Sequence, residues 1–392
     1  MYKILTLNNI AVAGLRRLPR ERYEVASEIA HPDAIIVRSH DMHEMDIPDT
    51  VAVVGRAGAG VNNIPIDKLS ERGVPVFNAP GANSNAVKEL AIAGLLIAAR
   101  NICSAWDYVQ ELQDAGDQLD AKIEAGKKHF VGFELPGRTL GVVGLGAVGV
   151  EVANAALALG MKVAGFDPQI TVRRAWQLSS GVEQTETLDA LFKKSDAVSV
   201  HVPLVDDTRG LVNRERLALM RPGGVLINFA RGGVVDNKAV IQSLDSGHLR
   251  AYVCDFPTAE LVAHPNATAL PHLGASTVEA EENCAIMVAE NVKDYLENGN
   301  IRHSVNFPEA IMPRADAWRI TIANANVPNM VGQISTALAN AGLNIEDLLN
   351  KSLGELAYTV VDLDGPVPDE TLDALQQIDG VLALRNLGKP LS

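Results

Sequence analysis

Six short runs between Leu140 and Leu273 are apolar almost from end to end, and a longer segment with helical spacing lies between most of them. They are "LGVVGLG" (140 to 146), "MKVAGFD" (161 to 167), "AVSVHVP" (197 to 203), "GGVLINFA" (223 to 230), "RAYVCDF" (250 to 256) and "ATALPHL" (267 to 273). A strand with one wet face alternates apolar and polar residues, whereas an uninterrupted apolar run has both faces covered. Strands of that kind separated by helices form a parallel, doubly wound sheet. Such a sheet also directs ligands to one place, the edge where the strand carboxyl ends stop.

The same theme occupies the first 95 residues, in "YKILTL", "AIIVRS", "VAVVGRAGAG" and "VPVFNAP". The expected class is therefore α/β with two doubly wound lobes: residues 1–95 with 283–310 form one, and residues 96–282 the other. Two apolar helices, "NAVKELAIAGLLIAARNI" and "AEENCAIMVAENVKDYLENG", are expected to join the lobes around a cleft. After the proline-bearing "VNFPEAIMPRAD", residues 316–392 read β-α-β-β-α-β, the ferredoxin-like order, and predict a small separate domain.

Composition narrows the partners. A net charge of −14 argues against a nucleic-acid or anionic-membrane surface, and the longest apolar stretch, Leu90 to Ala99, is too short to span a bilayer. Cys103, Cys254 and Cys284 are widely spaced with no ligand pattern, so no metal is expected and the setting reads as reduced and cytoplasmic.

Gly144, Gly146 and Gly149 spell G-x-G-x-x-G where a predicted strand passes into a helix opened by Ala147 and Val148. Asp167 ends the next strand, the context of a dinucleotide fingerprint. The pyrophosphate is expected on the helix N-terminus and the ribose 2′-hydroxyl on Asp167, which selects NAD over NADP despite the nearby Arg173 and Arg174. In "LINFARGGVVDN", Arg231 follows an apolar run and precedes two glycines that leave room for another molecule, a placement suited to a carboxylate. Glu260 and His272 follow the next two strands. Imidazole suits proton exchange with a hydroxyl, and Glu260 is the expected partner that favours its protonated form.

The motifs "GRAGAGVNNI", "VFNAPGANSNAVKEL", "GVVGLGAVG", "SVHVPL", "NFARGGVVD" and "LPHLGAST" run along the chain, which resembles the NAD-dependent D-2-hydroxyacid dehydrogenases, in particular their phosphoglycerate-oxidising branch with a C-terminal ACT module. The resemblance implies a catalytic trio of Arg231, Glu260 and His272. It places Asp255 near the nicotinamide carboxamide, has His201 and Pro203 line the adenine and ribose side, and leaves Ala230 beside the cofactor. Arg38 and Arg56 are expected to hold a substrate phosphate, with the N–H groups of Ala57 and Gly58 on its carboxylate, and Lys127 or Lys128 to reach a partner subunit. Asn326 and Asn344 would contact L-serine, and Asn329 stands where a glycine is commoner, at a turn that asparagine tolerates. The implied reaction is oxidation of 3-phospho-D-glycerate to 3-phosphohydroxypyruvate with NAD, the first step of serine biosynthesis, in a cytoplasmic homo-dimer or homo-tetramer. Two alternatives stay open: a reductase for glyoxylate or hydroxypyruvate, and a non-enzymatic NAD(H)-sensing protein on the same fold.

Overall fold

The computed structural model describes residues 1–390. The chain divides into two units, Met1–Asn83 with Val278–Ser392, and Ser84–Thr277. The expected lobe boundaries near residues 95 and 282 fall inside helices that each belong whole to one unit. Helix Ser84–Arg100 lies in the second and helix Val278–Asn298 in the first.

In the first unit, β1 (Tyr2–Leu7), β2 (Tyr23–Ala26), β3 (Ala34–Val37), β4 (Val53–Arg56) and β5 (Val76–Phe77) form a parallel sheet in the order β2-β1-β3-β4-β5. Strand β2 escaped the sequence reading because "YEVA" is a short edge strand with an exposed glutamate. Helix Val278–Asn298 places Cys284, Ala285, Val288, Ala289, Val292, Tyr295 and Leu296 at three- and four-residue spacing against this sheet. Gly55 of β4 admits the helix: a methyl group there would lie 2.5 Å from Val288 Cγ1.

The second unit holds β6 (Thr139–Val143), β7 (Lys162–Phe166), β8 (Val182–Gln184), β9 (Ala197–Val200), β10 (Gly224–Asn228), β11 (Leu249–Cys254) and β12 (Ala267–Ala269). All pair in parallel, in the order β12-β11-β10-β9-β6-β7-β8. The order reverses between β6 and β9, the switch point at which open α/β sheets take nucleotides. Strand β8 was unreadable in sequence because "VEQ" is short and its two polar residues are exposed.

The C-terminal module comprises β13 (Trp318–Ala325), β14 (Ile345–Leu353), β15 (Leu356–Leu363) and β16 (Val381–Gly388), all antiparallel in the order β14-β15-β13-β16, with helices Met330–Asn340 and Asp369–Gln376 between them. This is the ferredoxin-like topology. The module shares a unit with the first lobe instead of standing apart. Ala323, Tyr358 and Val360 enter the core that contains Tyr295 and Phe307, and the Tyr358 hydroxyl donates to the Gly299 carbonyl at 2.8 Å. Arg385 donates to the carbonyls of Tyr295 (2.8 Å) and Leu296 (3.0 Å) at the end of helix Val278–Asn298, adding to the bonds these carbonyls accept from Gly299 N and the Tyr2 hydroxyl. Asn329 adopts φ +67°, so the turn before helix Met330–Asn340 forms with asparagine in place of glycine.

Candidate active site

The first-turn amides of helix Ala147–Ala158 have no intrahelical acceptors, and they open at the switch point. Two glycines of the fingerprint play different parts. A methyl group on Gly149 would lie 1.8 Å from the Gly144 carbonyl oxygen, so this position packs helix onto loop; on Gly146 it would meet no protein atom within 4 Å, which leaves the backbone open to a ligand. A dinucleotide fits that opening: bare amides and a positive dipole end face a space with no side chain in it. Asp167 accepts from Leu145 N at 2.8 Å and from Gln169 N at 2.9 Å, so the residue expected to read the ribose also pins the glycine loop. His201 follows β9, with Nε2 2.8 Å from Ser199 Oγ. Burial pushes its imidazole down to about 4, leaving a neutral ring at physiological pH. Pro203 is exposed two residues on, and Ala230 N donates to Asn228 Oδ1 at 3.1 Å.

The carboxyl ends of β10, β11 and β12 surround a groove of about 630 Å³ whose lining includes Gly232, Gly233, Asp255, Phe256, Thr258 and His272. Asp255 is 1% exposed, and its two carboxylate oxygens accept from Leu273 N (2.9 Å) and Gly274 N (2.7 Å). Those are the two residues after His272. The clamp explains how His272 keeps φ +56°, a left-handed conformation that costs a non-glycine residue about 1–3 kcal/mol unless its surroundings impose it. The exposed His272 ring lies 5.2 Å from the Phe256 ring, so the imidazole faces solvent while its backbone is held.

Gly232 and Gly233 line the groove, and methyl groups there would press on Phe256 Cβ (3.2 Å) and Leu204 Cδ2 (3.0 Å). Two expectations are corrected here. Glu260 does not meet His272: it lines a separate groove with Asp245, Ala263 and His264, and its own backbone N–H and the Thr258 hydroxyl hold its carboxyl below the usual range. The acid–base pair is thus not preformed. In the first unit, the amides of Ala57 and Gly58 are already engaged, donating to Val37 O (2.7 Å) and Arg56 O (2.8 Å). The following amides, Ala59 and Gly60, have no backbone acceptor among the described residues.

Arg231 is exposed, with Nη1 donating to the Ala230 carbonyl at 2.7 Å. Asn228, fully buried at the end of β10, donates to the Arg231 carbonyl at 3.0 Å and sets the bend. Sequence reading passed over Asn228, although a lone amide ending the run "VLIN" was the available signal. Arg38 and Arg56 stand at the carboxyl ends of β3 and β4, where Arg56 Nε donates to the Arg38 carbonyl at 3.0 Å. Arg38 Nη1 and Nη2 each lie 2.6 Å from a carboxylate oxygen of Glu281, a residue the sequence reading did not single out. Lys127 pairs with Glu124.

Asn326 and Asn344 do not come together within one chain. Asn326 follows β13 where it pairs with Leu356, and donates to Gly354 O at 3.0 Å; Asn344 precedes β14 beside Leu363. The eight residues of β15 separate them by roughly 25 Å.

Comparison with known proteins follows this geometry. Residues 92–274 match the model of the D-isomer specific 2-hydroxyacid dehydrogenase NAD-binding domain. A hydroxypyruvate reductase of Thermotoga maritima is 38% identical over 69% of this chain and 87% of its own. The chain belongs to the D-2-hydroxyacid dehydrogenase family. As a family member it binds NAD, and the matched NAD-binding domain, residues 92–274, lies within the second unit. A D-3-phosphoglycerate dehydrogenase of Methanocaldococcus jannaschii is 35% identical over 87% of this chain, which spans 63% of that relative's length. The NAD+-bound 3-phosphoglycerate dehydrogenase of Entamoeba histolytica superposes with a TM-score of 0.61 at 27% identity, covering 78% of this chain and 98% of that one. Among the described residues no helix is long and apolar enough to cross a membrane, and no cluster of three His, Cys, Asp or Glu is arranged for a metal.

Proposed function

We propose that this chain oxidises 3-phospho-D-glycerate to 3-phosphohydroxypyruvate with NAD, supplying serine biosynthesis. The observation that carries the reading is His272, presented to solvent by the Asp255 clamp at the carboxyl edge of an NAD-binding sheet. NAD, held on the first-turn amides of helix Ala147–Ala158, would supply the acceptor for the hydride that leaves C2 of the hydroxy acid. His272 takes the proton from the C2 hydroxyl and returns it in the reverse direction, a role that imidazole fills near neutral pH. Arg231 binds the substrate carboxylate with a guanidinium fork. Arg38 and Arg56 are the phosphate ligands of the first unit. Glu260 acts only if it moves onto His272 once substrate is bound, since catalytic contacts commonly tighten at that stage.

The rival reading, reduction of unphosphorylated hydroxypyruvate or glyoxylate, draws on the Thermotoga relative; the match to phosphoglycerate dehydrogenase extends further along the chain and favours the phosphorylated substrate. Initial rates of NADH oxidation with 3-phosphohydroxypyruvate, hydroxypyruvate and glyoxylate separate them. A clear preference for the phosphorylated acid is expected, and equal rates would move the assignment to a general reductase. NADH binding without turnover of any of the three would favour the sensing protein. Arg56→Ala is expected to raise the KM for 3-phosphohydroxypyruvate while NADH affinity stays as in the parent; an unmoved KM would remove Arg56 from the site.

A second copy of the chain completes the picture. Helix Ile102–Glu111 buries none of its residues and exposes Ile102, Trp106 and Val109 along one face (48%, 62% and 43%). An apolar stripe at that spacing suits pairing with its own copy. With Asn326 and Asn344 at opposite ends of one sheet, an L-serine site using both draws one from each of two paired modules. Serine inhibition that disappears in Asn326→Ala is the expected result; turnover indifferent to serine would leave the module a purely assembling role.

A further inference from the structure

We propose that Glu281 tunes the specificity of the phosphate site by competing for it: its carboxylate occupies the Arg38 fork and must be displaced by a substrate phosphate, which tempers the preference for phosphorylated acids, while acids without a phosphate leave the pair closed. This rests on the reading of Arg38 and Arg56 as phosphate ligands. The geometry is that of a ligand stand-in. Two guanidinium nitrogens of Arg38 each meet a separate oxygen of Glu281 at 2.6 Å, the parallel arrangement that a phosphate also takes.

The pair is open enough to exchange. Arg38 and Glu281 side chains are 31% and 41% exposed, and ion pairs in such positions contribute roughly 0–1 kcal/mol. A phosphate ester, with about −1.5 to −2 charge and three acceptor oxygens, outcompetes a single carboxylate for the same fork. Displacement costs Glu281 little, because it sits in the first turn of the 21-residue helix Val278–Asn298, where the dipole favours a negative side chain whether or not it is paired.

The backbone beneath Arg38 does not need to move. Its carbonyl accepts from Arg56 Nε at 3.0 Å and from Asn63 Nδ2 at 3.4 Å, and Asn63 Nδ2 also donates to the His40 carbonyl at 2.7 Å. The anchored base and exchangeable tip are what a displaceable counter-ion requires. Arg38 reaches the first turn of helix Val278–Asn298 through Glu281, and the nearby Cys284 thiol is pushed up by burial and pulled down by Arg56 and Arg38, with Glu281 raising it.

The test is the ratio of KM values for hydroxypyruvate and 3-phosphohydroxypyruvate in the full-length protein, with NADH saturating. Glu281→Gln keeps the size and removes the charge. It is expected to raise that ratio about two- to fivefold, the equivalent of a pair of this exposure, through a lower KM for the phosphorylated acid. In an Arg38→Gln background the same substitution is expected to change nothing, because the fork for which carboxylate and phosphate compete is gone. A ratio that stays or falls in Glu281→Gln, or an equal KM drop for both acids, overturns the inference while leaving the phosphate site intact. If Arg38→Gln and Arg56→Ala both leave the KM for the phosphorylated acid unmoved, the underlying reading fails and this inference with it.

Discussion

His272→Ala is expected to lower kcat about 10²- to 10⁴-fold, the usual range for removing a positioned general acid–base, with NADH affinity close to that of the parent. The separation of effects follows from where the side chain stands. The His272 ring is exposed at the carboxyl edge of β12, whereas the amides proposed to hold the cofactor belong to helix Ala147–Ala158 beside β6. The backbone clamp does not depend on the imidazole, since Asp255 accepts from Leu273 and Gly274. Steady-state rates together with NADH fluorescence titration check both halves. Turnover near that of the parent would falsify the acid–base assignment and return His272 to a structural role.

Asp362→Ala is expected to destabilise the C-terminal module by about 3–5 kcal/mol, because it strands a buried cation. Arg319 is 0% exposed and Asp362 2%. Arg319 donates to the two carboxylate oxygens at 2.6 and 2.7 Å, and to the carbonyls of Asn298, Met312 and Pro313 at 2.9–3.0 Å. Removing the carboxylate leaves the positive charge with carbonyls alone. Urea unfolding of the full chain reads the loss. Joint replacement with apolar residues of similar volume, Arg319→Met with Asp362→Leu, is expected to recover only part of it: the unpaired charge is gone, but the carbonyls of Asn298, Met312 and Pro313 lose their donor. The same guanidinium ties β13 to the end of helix Val278–Asn298, so the single variant also loosens the seam between module and lobe.

How far the sequence could be read depended on the range of the interaction involved. Runs such as "AIIV" and "LGVV" announced two-sided burial, and the structure leaves no residue of β3 or β6 open to solvent. The short strands β2 and β8 gave no such signal, because an edge strand needs only one neighbour and tolerates exposed polar residues. Asn329 was legible for a local reason, its tolerance of φ > 0. Glu281 was not legible: nothing in "VEAEEN" distinguishes the glutamate that faces Arg38, 243 positions earlier, from its acidic neighbours.

By itself the sequence determined the α/β alternation, the nucleotide fingerprint from Gly144 to Asp167, and the placing of Arg231, Glu260 and His272 after consecutive strands. These follow from periodicity and from spacing within about thirty residues, where chain connectivity does the arranging. Tertiary structure alone decided that Asp255 clamps the His272 loop, that Glu260 turns to another groove, and that Glu281 covers Arg38. It alone also decided that the C-terminal module packs into the core of the first lobe. Each of these is a choice among chemically equivalent partners, and which carboxylate meets which amide or guanidinium is settled by the packing that brings distant segments together.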